Sequence, residues 1–183
     1  NYSVSLAEAI IPAADLSQQI STAGTEASGT GNMKFALNAA LTIGTWDGAN
    51  IEMAQAMGEA QMFVFGLRAE QVAREKELGY DPRRHYEDQP VLRAVIDALL
   101  RGDFSPDEPQ RYRALVESLL NNDPYMLLAD FASYLQAQQR VDALYREPGR
   151  WAEAAVRNVA AMGRFSSDRT IRDYVDRIWS RGG

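Results

Sequence analysis

Cysteine is absent from the 183 residues and histidine occurs once, at His85. That excludes a disulfide framework, a thiolate zinc site and a metal cluster built on several histidines, so no metal is expected. No apolar run approaches the roughly 18 residues of a membrane span, and the first residues carry neither a charged leader nor an apolar signal segment. No membrane association is therefore expected, and the cytoplasm is the expected compartment. Asn1-Tyr2-Ser3 matches a glycosylation sequon, which without a secretory signal reads as coincidence. Positive charge is also short: the net charge is −6, with a sequence pI near 4.9. Because phosphate-backbone binding needs a basic stripe, nucleic acid is not an expected partner. Lysine is the scarcest base, with Lys34 and Lys76 the only two among 19 basic residues. A lysine kept at the end of a small-residue loop points to chemistry that arginine cannot do, since only an amine forms a Schiff base.

What is present is a hydrophobic content of 46%, enough for a globular chain of this length to bury roughly 70% of its unfolded surface. The texture changes near residue 67. Residues 1–67 are rich in Gly, Ala, Ser and Thr, with short apolar runs ending in glycine or threonine, Ala40 to Thr45 and Met62 to Gly66. These read as buried parallel strands. Helices are expected between them, over Asn32 to Ala39 and over Gly48 to Met57, the second capped by Asp47 and stopped by Gly58. This is an α/β region with a βαβ rhythm.

Residues 68–183 read as helical. Val91, Leu92, Val95, Ile96, Leu99 and Leu100 recur at helical spacing, Gly102 to Pro109 is a turn, and Arg111 to Leu120 is another helix. After a break at Asn121 to Pro124, Tyr125 to Tyr145 forms one long helix. A last helix starts at Ser166-Ser167-Asp168 and puts Ile171, Tyr174, Val175, Ile178 and Trp179 on one face, the pattern of a terminal helix docking on a core. Tyr125, Phe131, Tyr134 and Tyr145 read as core aromatics, and Arg83 to Asp88, with His85, as a solvated loop. Asp47 with Glu52 suggests a carboxylate pair, but a capping Asp47 is the plainer reading.

Lys34 stands in the run Glu26-Ala27-Ser28-Gly29-Thr30-Gly31-Asn32-Met33-Lys34-Phe35. It is neither a Walker loop, which needs Ser or Thr after the lysine, nor a dinucleotide fingerprint, which needs a glycine where Lys34 stands. It is still an anion cradle. Successive small residues let backbone N–H groups converge on a phosphate, the following helix adds its positive end, and Thr30 offers a hydroxyl. A lysine one turn inside that helix points its amine back toward the loop. One small molecule that carries both a phosphate and an aldehyde satisfies both features, and pyridoxal phosphate is that molecule.

The same run resembles the cofactor-lysine signature of the α-glucan phosphorylases, the glycogen and maltodextrin phosphorylases. The resemblance continues through Ile11 to Ser17, Gln19 to Gly24, Leu41 to Thr45, Asp47 to Asn50 and Phe165 to Ile171. Family members are much longer, so the resemblance implies a carboxyl-terminal part, the later portion of the second Rossmann-like domain of a GT-B glycosyltransferase with a mostly helical tail. It further implies that Lys34 carries pyridoxal 5'-phosphate through a Schiff base, that Gly29, Thr30 and Gly31 lie at its phosphate, and that Tyr2 lies against it. Glu26 with the backbone of Ala27, Ser28 and Gly29 would hold hydroxyls of the glucosyl unit. The implied reaction is phosphorolysis of α-1,4-glucan by orthophosphate to α-glucose 1-phosphate, in a homodimeric full-length protein. Two phosphates about 4 Å apart repel by several kcal/mol at a surface-like dielectric, so cations are required beside them. Residues 1–33 contain no Lys, Arg or His. The resemblance assigns those cations to earlier segments, which makes this piece inactive alone.

Three positions depart from the family wording. Ala39-Ala40 stands where Gly-Ala is usual, with an extra methyl expected to tighten helix packing. Ser3 stands where a basic residue is common, and Trp46 where an aliphatic or Met is common. The alternative function is a non-catalytic structural module of the truncated chain, with an unpaired sheet edge and an exposed apolar face. A sugar-nucleotide glycosyltransferase of the same fold would leave Lys34 without a task.

Overall fold

Ser3, at one of the departing positions, opens the first helix: in the computed structural model, which describes residues 1–179, its hydroxyl accepts a hydrogen bond from the Leu6 N–H at 3.2 Å. Helix α1 (Val4–Ala13) leads into strand β1 (Leu16–Gln19). A long loop then reaches α2 (Gly31–Leu37), β2 (Leu41–Thr45), α3 (Ala49–Met57) and β3 (Phe63–Phe65). The strands form one parallel sheet in the order β1-β2-β3, with Leu16 opposite Leu41 and Ile43 opposite Phe63. This is a mixed α/β fold with a small parallel sheet.

Parallel strands joined by helices are covered on both faces, which is why β2 reads as an unbroken buried run rather than an alternation. Side chains still point alternately to the two faces. Leu41, Ile43 and Phe65 face the long helix α8 (Leu127–Tyr145) and the helix α9 (Pro148–Ala161), where Ala137, Val141 and Trp151 complete the packing. Val64 and Trp46 face the opposite way, toward Ala36 of α2, Met53 and Ala54 of α3, and Met162. Each fully buried Leu or Ile contributes about 1.5–3 kcal/mol. Asn158 of α9 donates to Ala36 O at 3.3 Å and Ala40 O at 2.8 Å, tying the end of α2 to the sheet.

The outer edge of β3 is occupied by α8. Arg140 donates to Val64 O at 2.9 Å, Gly66 N–H donates to the Ser133 hydroxyl at 2.9 Å, and Leu67 N–H donates to Asp130 Oδ1 at 2.8 Å. The Val64 carbonyl and the two N–H groups just after β3 are thereby taken by α8 and are not free to pair with another strand.

Beyond the sheet, helices α4 (Ala69–Glu77), α5 (Pro82–Asp88), α6 (Pro90–Arg101) and α7 (Arg113–Asn121) precede α8. Leu92, Ile96, Val116 and Leu128 form their shared cluster, while Val91, Val95 and Leu100 stay exposed. Four expectations are corrected. Arg83 to Asp88 is a helix rather than a loop, because Asp81 caps it through the Arg83 N–H and Pro82 sits at its first position, where no N–H is needed. Tyr125 and Tyr145 are exposed rather than core, and the long helix starts at Leu127 instead of Tyr125. The final helix α10 (Ser167–Arg177) has its cap at Ser166, but none of its residues is buried, and Ile171, Tyr174 and Val175 lie open beside Ile178 and Trp179. It rests on the short turn Met162–Phe165, and no core lies under it among the described residues. The fourth concerns Ala39, which lies beyond the end of α2 with φ 75°. Its methyl occupies a left-handed backbone position where it strains the chain rather than tightening a helix.

Candidate functional site

The loop from Ile20 to Thr30 leaves the carboxyl end of β1, and the turn Trp46 to Gly48 leaves the carboxyl end of β2, the side where open parallel sheets bind their ligands. The loop is tied at its base by side chains. Thr45 donates its hydroxyl to Ser21 O at 2.7 Å, and Thr22 donates to Tyr125 O at 2.8 Å. Gly24 to Ser28 are exposed.

Asp47 holds this loop. Only 5% of it is exposed, and its Oδ1 accepts from Gly24 N–H at 2.9 Å while Oδ2 accepts from Glu26 N–H at 2.8 Å. Burial works to raise its pKa, but hydrogen bonds from the Ser21 hydroxyl and from the backbone of Glu26, Gly24 and Gly48 outweigh it and hold the pKa below its ordinary value. The expected capping role is corrected, since Gly48 is the residue before α3 and the carboxylate is committed to the loop. Glu52 is exposed on α3, whereas Asp47 is buried with its carboxylate engaged by the loop amides. Gly48 adopts φ 50°, and a Cβ there would lie 2.4 Å from Ser28 O and 2.9 Å from Glu26 Cγ. Only glycine fits.

A second set of bonds runs from the same turn to α2. Asn32 donates to Asn50 Oδ1 at 2.8 Å, and Asn50 donates to Thr45 O at 3.0 Å, all within buried side chains. Gly44 makes room for it, as a Cβ would meet Asn50 Nδ2 at 2.5 Å.

Lys34 lies exposed on α2, on the face shared with Asn38, and both line a cavity of about 380 Å³ with Tyr2, Glu8 and the apolar Val4, Ala7 and Ile11. Helix α1 is thus the other wall of that cavity. Tyr2 and Lys34 come together there, whereas Glu26, Ala27, Ser28, Gly29, Thr30 and Gly31 are not among its lining residues. Gly29, Thr30 and Gly31 donate no backbone hydrogen bond among the described residues, so their N–H groups are open to a ligand. The exposed amine and the aromatic share the cavity, and the three free N–H groups lie outside it in the chain leading to Lys34; by type these are the groups that an aldehyde and a phosphate need. Trp46 takes Arg68 over its ring at 4.4 Å, which gives that departing residue a cation–π partner. His85 stands 5.5 Å from the Tyr80 ring, in a different part of the chain. Among the described residues no three His, Cys, Asp or Glu side chains form a metal site, and no helix is long and apolar enough to cross a membrane.

A family profile described as carbohydrate phosphorylase matches residues 1–181. The chain belongs to the carbohydrate phosphorylase family. It is 55% identical over 179 residues to the muscle form of glycogen phosphorylase from Bos taurus, covering 98% of this chain and 21% of that protein. It is 54% identical over the same length to the brain form from Homo sapiens, with the same coverage. The chain therefore spans about a fifth of the length of the curated relatives it matches. Sequence reasoning singled out the phosphorylase loop and Lys34 but missed Asn32 and Asn50 as the clasp between turn and helix. Asp47 to Asn50 carry part of the family resemblance, but the contacts of Asp47 with residues 21 and 23 positions back have no local signal.

Proposed function

We propose that this chain is the cofactor-lysine segment of an α-glucan phosphorylase, in which the parallel sheet and its helices are the later part of the second Rossmann-like domain of a GT-B glycosyltransferase. The full-length protein, a homodimer, cleaves α-1,4-glucan with orthophosphate and releases α-glucose 1-phosphate. The observation that carries this reading is Lys34, the first of only two lysines, exposed beside Tyr2 directly after a loop with free N–H groups. Relatives whose names state glycogen phosphorylase support the substrate class.

Pyridoxal phosphate, when bound, would supply a phosphate group for acid–base chemistry at the glucan. Lys34 would hold its aldehyde, with Tyr2 beside Lys34 in the same cavity, and the N–H groups of Gly29, Thr30 and Gly31 would hold its phosphate. Glu26, on the exposed loop, accepts hydrogen bonds from glucosyl hydroxyls, and the backbone of Ala27, Ser28 and Gly29 adds further polar contacts. A charged acceptor orients a sugar best, because hydrogen bonds to ionised groups are about twice as strong as neutral ones. Residues 1–33 hold no Lys, Arg or His, so the cations that two adjacent phosphates require would come from elsewhere, and the phosphorylase reading assigns them to earlier segments of the full-length protein.

Borohydride reduction of the full-length protein after incubation with pyridoxal phosphate, followed by peptide mass spectrometry, tests the site. A pyridoxyl adduct on Lys34 and none on Lys76 is the expected result, together with glucose 1-phosphate formation and no use of nucleotide sugars. An adduct spread over both lysines overturns it. The exposed apolar sides of α1 and α10 favour a second reading for the isolated chain, a structural module that does not load the cofactor by itself.

A further inference from the structure

The turn between β2 and α3 touches both halves of the site. Through the Asp47 carboxylate it holds the backbone of Gly24 and Glu26, and Ala49 N–H donates to Ser28 O at 2.8 Å. Through Asn50 it holds Asn32, whose own Oδ1 accepts from Met33 N–H at 3.0 Å, next to Lys34. Asp47, Ala49 and Asn50, from the turn and the first residues of α3, thus set the distance between a loop that would touch sugar and a helix that would hold the cofactor.

We propose that Asp47 is a positioning residue that fixes the Glu26 loop, and that Asn50 is its counterpart for α2 and Lys34. The assignment rests on the phosphorylase reading for the roles of Glu26 and Lys34, and on contacts alone for the rest. A buried carboxylate without a cation partner is stable only while N–H donors satisfy it. Both of its oxygens accept from loop amides, and the Ser21 hydroxyl of the same loop adds a further bond. Gly24 to Ser28 are exposed and add little to the apolar core, so releasing them leaves the sheet packing in place. The two arms are separable, because Asp47 bonds to the loop and Asn50 bonds to Thr45 and Asn32.

In the full-length protein, Asp47→Asn turns an amide donor toward an N–H donor and breaks one of the two bonds to loop amides. The expected result is a wild-type yield of Lys34 adduct, a kcat/KM for the glucan lower by roughly 10²-fold, and exchange of the Gly24 and Glu26 amides faster by about tenfold or more. Asn50→Ala gives the opposite split, with a lower adduct yield at Lys34 and both loop amides still protected. Wild-type kcat/KM in Asp47→Asn, or loss of the adduct together with turnover, overturns the assignment. If Asp47→Asn does not fold, hydrogen exchange on the unaltered protein decides: Gly24 and Glu26 amides as protected as those of β2 support it, and unprotected ones overturn it. An unaltered protein that forms neither adduct nor glucose 1-phosphate defeats the phosphorylase reading instead, and the amide protection then decides the Asp47 contact by itself.

Discussion

Single residues carry the sharpest expectations. Ala39 has φ 75° where an L side chain is strained, so Ala39→Gly relieves a clash that outweighs the added freedom of the unfolded chain. Urea unfolding should show a gain of about 0.5–1 kcal/mol, and an unchanged midpoint would contradict the strain. Asp47 sets an acid limit. Its pKa is held below the ordinary 3.8, so the stability it contributes is fully present above that value and is lost as pH falls through the lower folded value. Asp47→Asn should flatten the stability curve below pH 3.8, measured by thermal unfolding against pH. Lys34→Ala in the full-length protein should abolish cofactor retention and turnover, which absorbance of the bound cofactor and glucose 1-phosphate formation both report.

At the level of elements, the start of α8 depends on one buried carboxylate. Asp123 accepts from Leu127 N–H at 2.9 Å, from Leu128 N–H at 2.8 Å and from the Tyr80 hydroxyl at 2.7 Å, with 1% of the residue exposed. Burial first, then the hydrogen bond to Asp123, pushes the Tyr80 phenol well above its ordinary value of 10.0. A raised folded pKa contributes stability that is present below 10.0 and is lost as pH rises beyond it. Tyr80→Phe should cost about 1–3 kcal/mol at neutral pH and weaken the alkaline slope, as read from urea unfolding at pH 7 and above 10. The helix itself is readable from its apolar spacing, but its start two residues past Tyr125 is not, because Met126 takes a left-handed backbone, φ 54°, that its side chain does not signal. Helix α5 was readable in principle from Asp81-Pro82, a cap followed by a proline at the first position, and was hidden by the charges that follow.

For the molecule as a whole, two apolar faces lie open at opposite ends of the sequence: Tyr2, Val4, Leu6 and Ile10 on and before α1, and Ile171, Tyr174 and Val175 on α10 with Ile178 and Trp179 after it. Exposed faces of this kind drive association. The isolated chain should therefore sediment with a weight that rises with concentration, and Ile171→Lys with Val175→Lys should lower that tendency. A concentration-independent monomer would contradict it. The sequence by itself determined the α/β texture of the first region, the strand β2, most of the helices, and a loop and lysine specific enough to place the chain among the phosphorylases. Those features depend on local periodicity and on residue chemistry a few positions apart. Only the tertiary structure decided that Asp47 grips the loop rather than a helix, that Asn50 clasps Asn32, that Asn158 closes the end of α2 from 118 and 122 residues away, and that α10 lies uncovered among the described residues. Such contacts follow from how the sheet and its helices stack, and no local pattern encodes which distant partner a buried polar group will meet.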